Sequence, residues 1–169
     1  MKLIIIGAGK YGKEIEDIAE QMNQFASIAF LDDNPKADNV IGKCADFERY
    51  HDHDTAFFVA FGDNDFREKI SLTLTSKGVV PINIIHPTAY ISPKAILGQG
   101  ISILPKAVVN TYTTIKDGCM INTGAIVDHD CIIEPYTHVC VGAIVKADNH
   151  IPAKMKIEAG VVVERETYV

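Results

Sequence analysis

The chain lacks a basic surplus. Lys and Arg number 16 against 22 Asp and Glu, a formal net charge of -6 with a pI near 5.4. That balance excludes binding driven by polyanions, so neither nucleic acid nor an anionic membrane surface is expected as a partner. No apolar run is long enough to span a bilayer. The opening Met1-Lys2-Leu3-Ile4-Ile5-Ile6 resembles the start of a leader, but Gly7 and Gly9 cut it short. It reads as a buried first strand. The four cysteines (Cys44, Cys119, Cys131, Cys140) form no CxxC pair, which disfavours a thiolate metal site or redox motif and fits a reducing, cytoplasmic setting. A His-x4-His pair is also missing: His129, His138 and His150 stand nine and twelve apart. The zinc arrangement of gamma-class carbonic anhydrases is therefore not expected, and no metal is assigned.

What is present is a period. Every sixth residue from Ile85 to Val169 is Ile, Leu or Val, fifteen in succession. Neither a 3.6-residue helix nor a two-residue strand repeat generates such a row. Four residues after most of these positions the side chain is small or modest, as at Ala89, Ala95, Ala107, Thr113, Cys119, Ala125, Cys131, Thr137 and Ala143. A triangular coil of three short strands, about eighteen residues per turn, places one aliphatic and one small residue inside at each side, the hexapeptide pattern of a β-helix. Tyr112, Ile126, Ile132 and Tyr136 are expected on the flat outer sides, where they would favour packing between copies. Val163 and Val169 would end the last coil without a polar cap.

Residues before this period follow another rule. Strands are expected at Leu3 to Ile6, Ser27 to Leu31 and Ala56 to Phe61. Helices are expected at Lys13 to Asn23, with Ile15, Ile18, Ala19 and Met22 inward, and at Arg67 to Ser76, with Ile70, Leu72 and Leu74 partly inward. Asp32-Asp33-Asn34-Pro35 stops the second strand. The polar 36–54 stretch reads as a surface segment. Strand–helix alternation implies a small parallel sheet. The fold expected is α/β plus β: a Rossmann-like βαβ domain over 1–84, then a left-handed parallel β-helix of hexapeptide repeats over 85–169.

Two places carry chemistry. Gly7-Ala8-Gly9-Lys10-Tyr11-Gly12 follows a strand and opens a helix, with Asp32 twenty residues after Gly12. Glycines there allow a tight turn and let backbone amides at a helix N-terminus face phosphate. The spacing suits NAD, a nucleotide diphosphate, or merely a tight turn. With only about eighty βα residues and no hydride chemistry in the repeats, a nucleotide diphosphate, with Asp32 and Asp33 accepting from base or ribose, is preferred. The second place is His129 between Asp128 and Asp130. A carboxylate beside an imidazole fixes one tautomer and raises its basicity, as a general base requires.

Several stretches together resemble a known family: Ile5-Ile6-Gly7-Ala8-Gly9-Lys10-Tyr11-Gly12, Phe30-Leu31-Asp32-Asp33, Val59 to Arg67 (with Gly62 and Asn64), Ile84 to Ser92, and Ile121-Asn122-Thr123-Gly124-Ala125-Ile126-Val127-Asp128-His129-Asp130-Cys131. The chain resembles bacterial sugar O/N-acyltransferases that join a nucleotide-binding domain to a left-handed β-helix, including UDP-4-amino-sugar N-acetyltransferases and sialic acid O-acetyltransferase-like proteins. The resemblance implies a UDP-sugar on the glycine loop, Asp32, Asp33, Gly62 and Asn64. It implies His129 as base with Asp130 orienting it, and acetyl-CoA held along the coils near His138, Gly142 and Ala143 in a homotrimer. Tyr11 replaces a histidine that many relatives carry in the loop. The repeats after His138 are about one coil shorter than in longer relatives, in the region where CoA is gripped. A sugar-nucleotide-binding trimer without the donor site is the alternative.

Overall fold

The computed structural model describes residues 1–34 and 39–169; Pro35 and the opening of the 36–54 stretch lie outside them. The chain divides into two compact units, Met1–Ile84 and Ile85–Val169. No helix among the described residues is long and apolar enough to cross a membrane.

In the first unit, β1 (Lys2–Ile6), β2 (Ser27–Leu31), β3 (Val40–Gly42) and β4 (Thr55–Val59) form one sheet of order β3-β2-β1-β4. Its pairings are parallel, and β1 registers Ile6 with both Leu31 and Val59. Leu3, Ile5 and Ile6 are fully buried and Ile4 nearly so, because a central parallel strand is covered on both faces and reads as an unbroken apolar run. The chain moves outward from β1 to β3 and then returns to the other side of β1. The order therefore reverses between β1 and β4, and a parallel sheet opens its ligand crevice at such a point, beyond the carboxyl ends of its strands.

Helix α1 (Lys10–Met22) begins three residues earlier than expected and buries Gly12, Ile15, Ile18 and Ala19; Met22 is only half-buried. It stops at Asn23, which adopts a left-handed φ of 53° and donates its N–H to the Glu20 carbonyl. Helix α2 (Asn64–Ser76) also starts three residues early, because the Asp63 carboxylate accepts the Phe66 N–H at 2.8 Å and caps it. Its buried residues are Arg67, Ser71 and Leu74, whereas Leu72 is 56% exposed. The expectation of an inward Leu72 is corrected by helix phase. The 36–54 stretch is likewise more than surface. It supplies β3, which pairs with Phe30 and Leu31, and a 3₁₀ helix, Cys44–Tyr50, whose Phe47 is buried in the core.

The second unit is a β-helix. Two-residue strands stack eighteen residues apart into three parallel sheets, two of five strands and one of four; Met120 and Ile121, for example, register with His138 and Val139. Inward aliphatic residues from Ile103 to Ile151 are fully buried, as are Ala107, Cys119, Ala125, Cys131 and Ala143 in the small-residue slots. Each such aliphatic residue contributes about 1.5–3 kcal/mol of burial.

Three expectations are corrected. Val169 keeps the six-residue phase yet is 94% exposed, and Tyr168 packs against the core instead. The slot at Asn149 holds a buried amide whose Nδ2 donates to the Lys146 and Glu164 carbonyls while its Oδ1 accepts from the Tyr168 N–H, so the end is tied down by polar bonds. Tyr136 is buried, not outward. Its ring covers Gly118, where an added Cβ would lie 2.3 Å from the ring.

Candidate active site

At the carboxyl end of the sheet, the glycine loop is built by steric need. Gly7 adopts φ +108°, and a Cβ on Gly12 would lie 2.0 Å from the Gly7 carbonyl oxygen. Both positions thus require glycine. Gly9 caps α1 without any side-chain hydrogen bond, and the first turn holds no acid. The positive end of the helix is therefore not countered by its own side chains, a setting that favours a phosphate. Lys10 is exposed and Tyr11 half-buried at that turn.

Asp32 has a structural part besides the one expected. Its Oδ2 accepts the Ala8 N–H at 2.6 Å and its Oδ1 the Asn34 N–H at 2.7 Å. The carboxylate braces the glycine loop, and each oxygen keeps one further lone pair for a ligand. Asp33 Oδ1 accepts from Cys44 N at 3.1 Å. Both acids line a cleft of about 530 Å³ with Val40, Gly42, Lys43 and Asp46.

The loop after β4 is held by a residue that the sequence reading passed over. Arg67, 1% exposed, donates from Nη1 to the Phe61 carbonyl at 2.9 Å and from Nη2 to Asn64 Oδ1 at 2.7 Å. The Asn64 carbonyl, expected to meet substrate, is thereby engaged inside the loop, while Gly62 stays exposed. A lone arginine among polar helix residues gave no sign of being interior; only the preceding turn at Gly62 hinted at carbonyls in need of a donor.

In the second unit, His129 sits at a corner between strands 126–127 and 132–133. Its Nδ1 lies 2.8 Å from Asp130 Oδ2, so the proton resides on Nδ1 and Nε2 keeps its lone pair. The side chain is 45% exposed. The bond to Asp130 raises the imidazole pKa above its ordinary value, opposed by slight desolvation and reinforced by the charges of Asp128, Asp130 and Asp148.

Partners one coil away hold this corner. Burial pushes the Asp128 carboxyl up, but the His129 N–H at 2.9 Å, the Asn110 amide at 3.0 Å and the nearby His129 charge together bring it below the usual range. Underneath, the fully buried Thr113 hydroxyl donates to the Asp128 carbonyl at 2.5 Å and accepts the Cys131 N–H at 3.2 Å. The sequence marked Thr113 only as a small inward residue and did not single out Asn110, although the eighteen-residue spacing from 110 to 128 was there to be read.

His138 is half-buried on the outer face of its strand, with Nε2 3.2 Å from Asn122 Nδ2. Gly142 is exposed, but its N–H donates to the Thr123 carbonyl at 3.0 Å. Ala143 lies in the core and its N–H donates to Cys140 O at 3.0 Å. Neither amide expected near an acyl donor is left over from the coil. Among the described residues no cluster of three or more His, Cys, Asp or Glu side chains could hold a metal ion.

Residues 2–74 match the PglD N-terminal domain. The acetyltransferase domain of PglB from Neisseria gonorrhoeae FA1090 superposes with a TM-score of 0.94 at 34% identity, covering 98% of this chain and 83% of that one. The chain belongs to the β-helix sugar acetyltransferases. This family member is also similar to PerB from Caulobacter crescentus, solved in complex with CoA and GDP-perosamine: TM-score 0.84, 28% identity, 98% of this chain and 89% of that one. The PglB domain has itself been solved in complex with acetyl coenzyme A. A curated relative, uncharacterized protein L142 of Acanthamoeba polyphaga mimivirus, is 36% identical over 101 residues, which is 57% of this chain and about a fifth (20%) of that protein's length.

Proposed function

We propose that this chain transfers the acetyl group of acetyl-CoA to the amine of a nucleoside-diphosphate sugar, with His129 as general base. The observation that carries the reading is the exposed His129–Asp130 pair, an imidazole held with its Nε2 lone pair available, in a chain that shares its fold with the acetyltransferase domain of PglB over 98% of its length. The sugar amine attacks the thioester carbonyl carbon and a C–N bond forms. His129 Nε2 takes the amine proton, Asp130 steadies the resulting imidazolium, the C–S bond breaks, and the thiolate leaves to be protonated. No metal or covalent enzyme intermediate is needed.

The acceptor's diphosphate sits at the α1 N-terminus against Gly7 to Gly12, with the spare lone pairs of Asp32 and Asp33 meeting ribose or base. UDP is the nucleotide favoured by the resemblance of the glycine loop and the Asp32-Asp33 pair. PerB, the relative with GDP-perosamine, makes guanine the comparison to run. His138 and Gly142 border the donor. The functional unit is a homotrimer; the outward column Tyr90, Val108, Ile126, Ile144 and Val162, apolar at every coil of one sheet, supports burial against neighbouring copies.

The test is a steady-state assay with acetyl-CoA and UDP- or GDP-linked 4-amino sugars. His129→Ala should lower turnover by about 10²–10⁴-fold while calorimetric affinity for the sugar nucleotide is retained. Unchanged turnover removes His129 from the reaction, and no acetyl transfer to any sugar nucleotide overturns the proposal as a whole.

A further inference from the structure

Two of the four histidines of the β-helix unit, His129 and His138, are held by partners of opposite character. His129 meets a carboxylate, which can only accept. His138 meets the Asn122 side chain, and the bonding around that amide settles which of its ends faces the ring. The Thr123 backbone N–H donates to Asn122 Oδ1 at 2.7 Å. A backbone N–H has no acceptor capacity, so the atom it meets is the carbonyl oxygen. The NH₂ group is then the end that lies 3.2 Å from His138 Nε2. An NH₂ group can only donate, so Nε2 must be the unprotonated nitrogen, and the ring proton sits on Nδ1.

We infer that Asn122 is a positioning residue that locks His138 in its Nδ1–H tautomer. Within the acetyltransfer reading, on which this inference rests, His138 then serves as a fixed hydrogen-bond donor rather than a second base. A donor pre-set toward an oxygen that gains negative charge during acyl transfer stabilises that charge without reorganisation. Division of labour follows from the partners: a carboxylate makes His129 the proton acceptor, and an amide with its oxygen pinned makes His138 an N–H donor. The lock costs little structure, since Asn122 stands at the turn Asn122-Thr123-Gly124 and Thr123 follows it directly in the chain. The Gly124 N–H, donated to Pro105 O at 2.9 Å, and the Gly142 N–H, donated to Thr123 O at 3.0 Å, stiffen the same turn.

The decisive measurement is the imidazole ¹⁵N spectrum of the intact protein near neutral pH, with the His138 signals assigned by their absence from His138→Gln. The expected result is an unprotonated Nε2 and a protonated Nδ1. An Nε2–H tautomer in the native protein overturns the inference. Asn122→Asp keeps an oxygen for Thr123 but places a second acceptor against Nε2, so it should move the proton to Nε2; an unmoved proton would also overturn it. Asn122→Asp and Asn122→Ala should each reduce kcat by less than the roughly 10²–10³-fold that loss of a whole oxyanion donor costs, with KM for the sugar nucleotide unchanged. The spectrum needs no substrate. If the tautomer is as described but no acetyl transfer is found, the proposed reaction fails and the positioning does not; an Nε2–H ring in an active enzyme is the reverse.

Discussion

The two units hold their functional groups by different means. In Met1–Ile84 the groups offered to a ligand are largely backbone, at strand ends and at the first turn of α1, and side chains such as Asp32 and Arg67 brace the loops that carry them. In Ile85–Val169 the backbone is taken up by the coil, as the engaged amides of Gly142 and Ala143 illustrate, and in the proposed reaction side chains do the chemistry while partners a coil away orient them. A change of side chain should therefore act by distorting the main chain in the first unit and by releasing a neighbour in the second.

The largest expected effect on binding breaks the first half of that contrast. Gly12→Ala sets a Cβ 2.0 Å from the Gly7 carbonyl oxygen, so the loop must shift. The loss should reach or exceed the ~1–3 kcal/mol of ordinary overpacking, read as a lower denaturation midpoint, with sugar-nucleotide binding abolished. A normal midpoint would show that the loop has slack. Next, Ile121→Ala removes a fully buried aliphatic residue from the stack and should cost about 2–5 kcal/mol by denaturant titration. Arg67→Ala strips donors from buried carbonyls, at about 1–3 kcal/mol for each group left unpaired, and should weaken nucleotide affinity by calorimetry although Arg67 is too buried to reach a ligand. Ile126→Glu should leave the fold intact and shift sedimentation from the proposed trimer to monomer.

The smallest effect sharpens the second half. Because Asp130 raises the His129 pKa, Asp130→Asn should lower kcat and move the acid limb of its pH profile to lower pH. In stability the sign is opposite to that of a paired acid: a raised histidine value adds stability that is complete below the unfolded value of about 6.5 and fades as pH rises through the folded value. Asp130→Asn should flatten that slope in midpoint-versus-pH data.

How much of this was legible follows from the same contrast. Ile103 to Val163 announced themselves because each coil repeats the demand of the last. Val169 satisfied the same pattern yet lies exposed, since a period marks a place in the coil and not how far that place is covered. Tyr136 was misplaced because a left-handed corner, φ 59°, turns its ring onto Gly118. The glycine loop was readable as a motif, yet Asp32 bonding to the Ala8 and Asn34 amides was not, because spacing cannot tell a ligand contact from a brace. β3 and Phe47 were hidden in a polar stretch where Phe47, with Cys44 and Tyr50 packed beside it, does the anchoring. His129 and Asp130 were readable as neighbours; the hold of Asn122 on His138 spans sixteen residues and depends on which end of an amide faces the ring.

Thr113 links the inside of the prism to the edge that carries His129. One hydroxyl, sealed from water, fastens the turn bearing His129 by grasping a carbonyl on one flank and an N–H on the other. The pose of a solvent-facing imidazole is thus set from within, and a swap as mild as Thr113→Val, nearly the same in shape, would unfasten it with no alteration visible on the exterior. If His129 is the base, selection on its pose reaches inward, to a side chain with no exposed surface of its own.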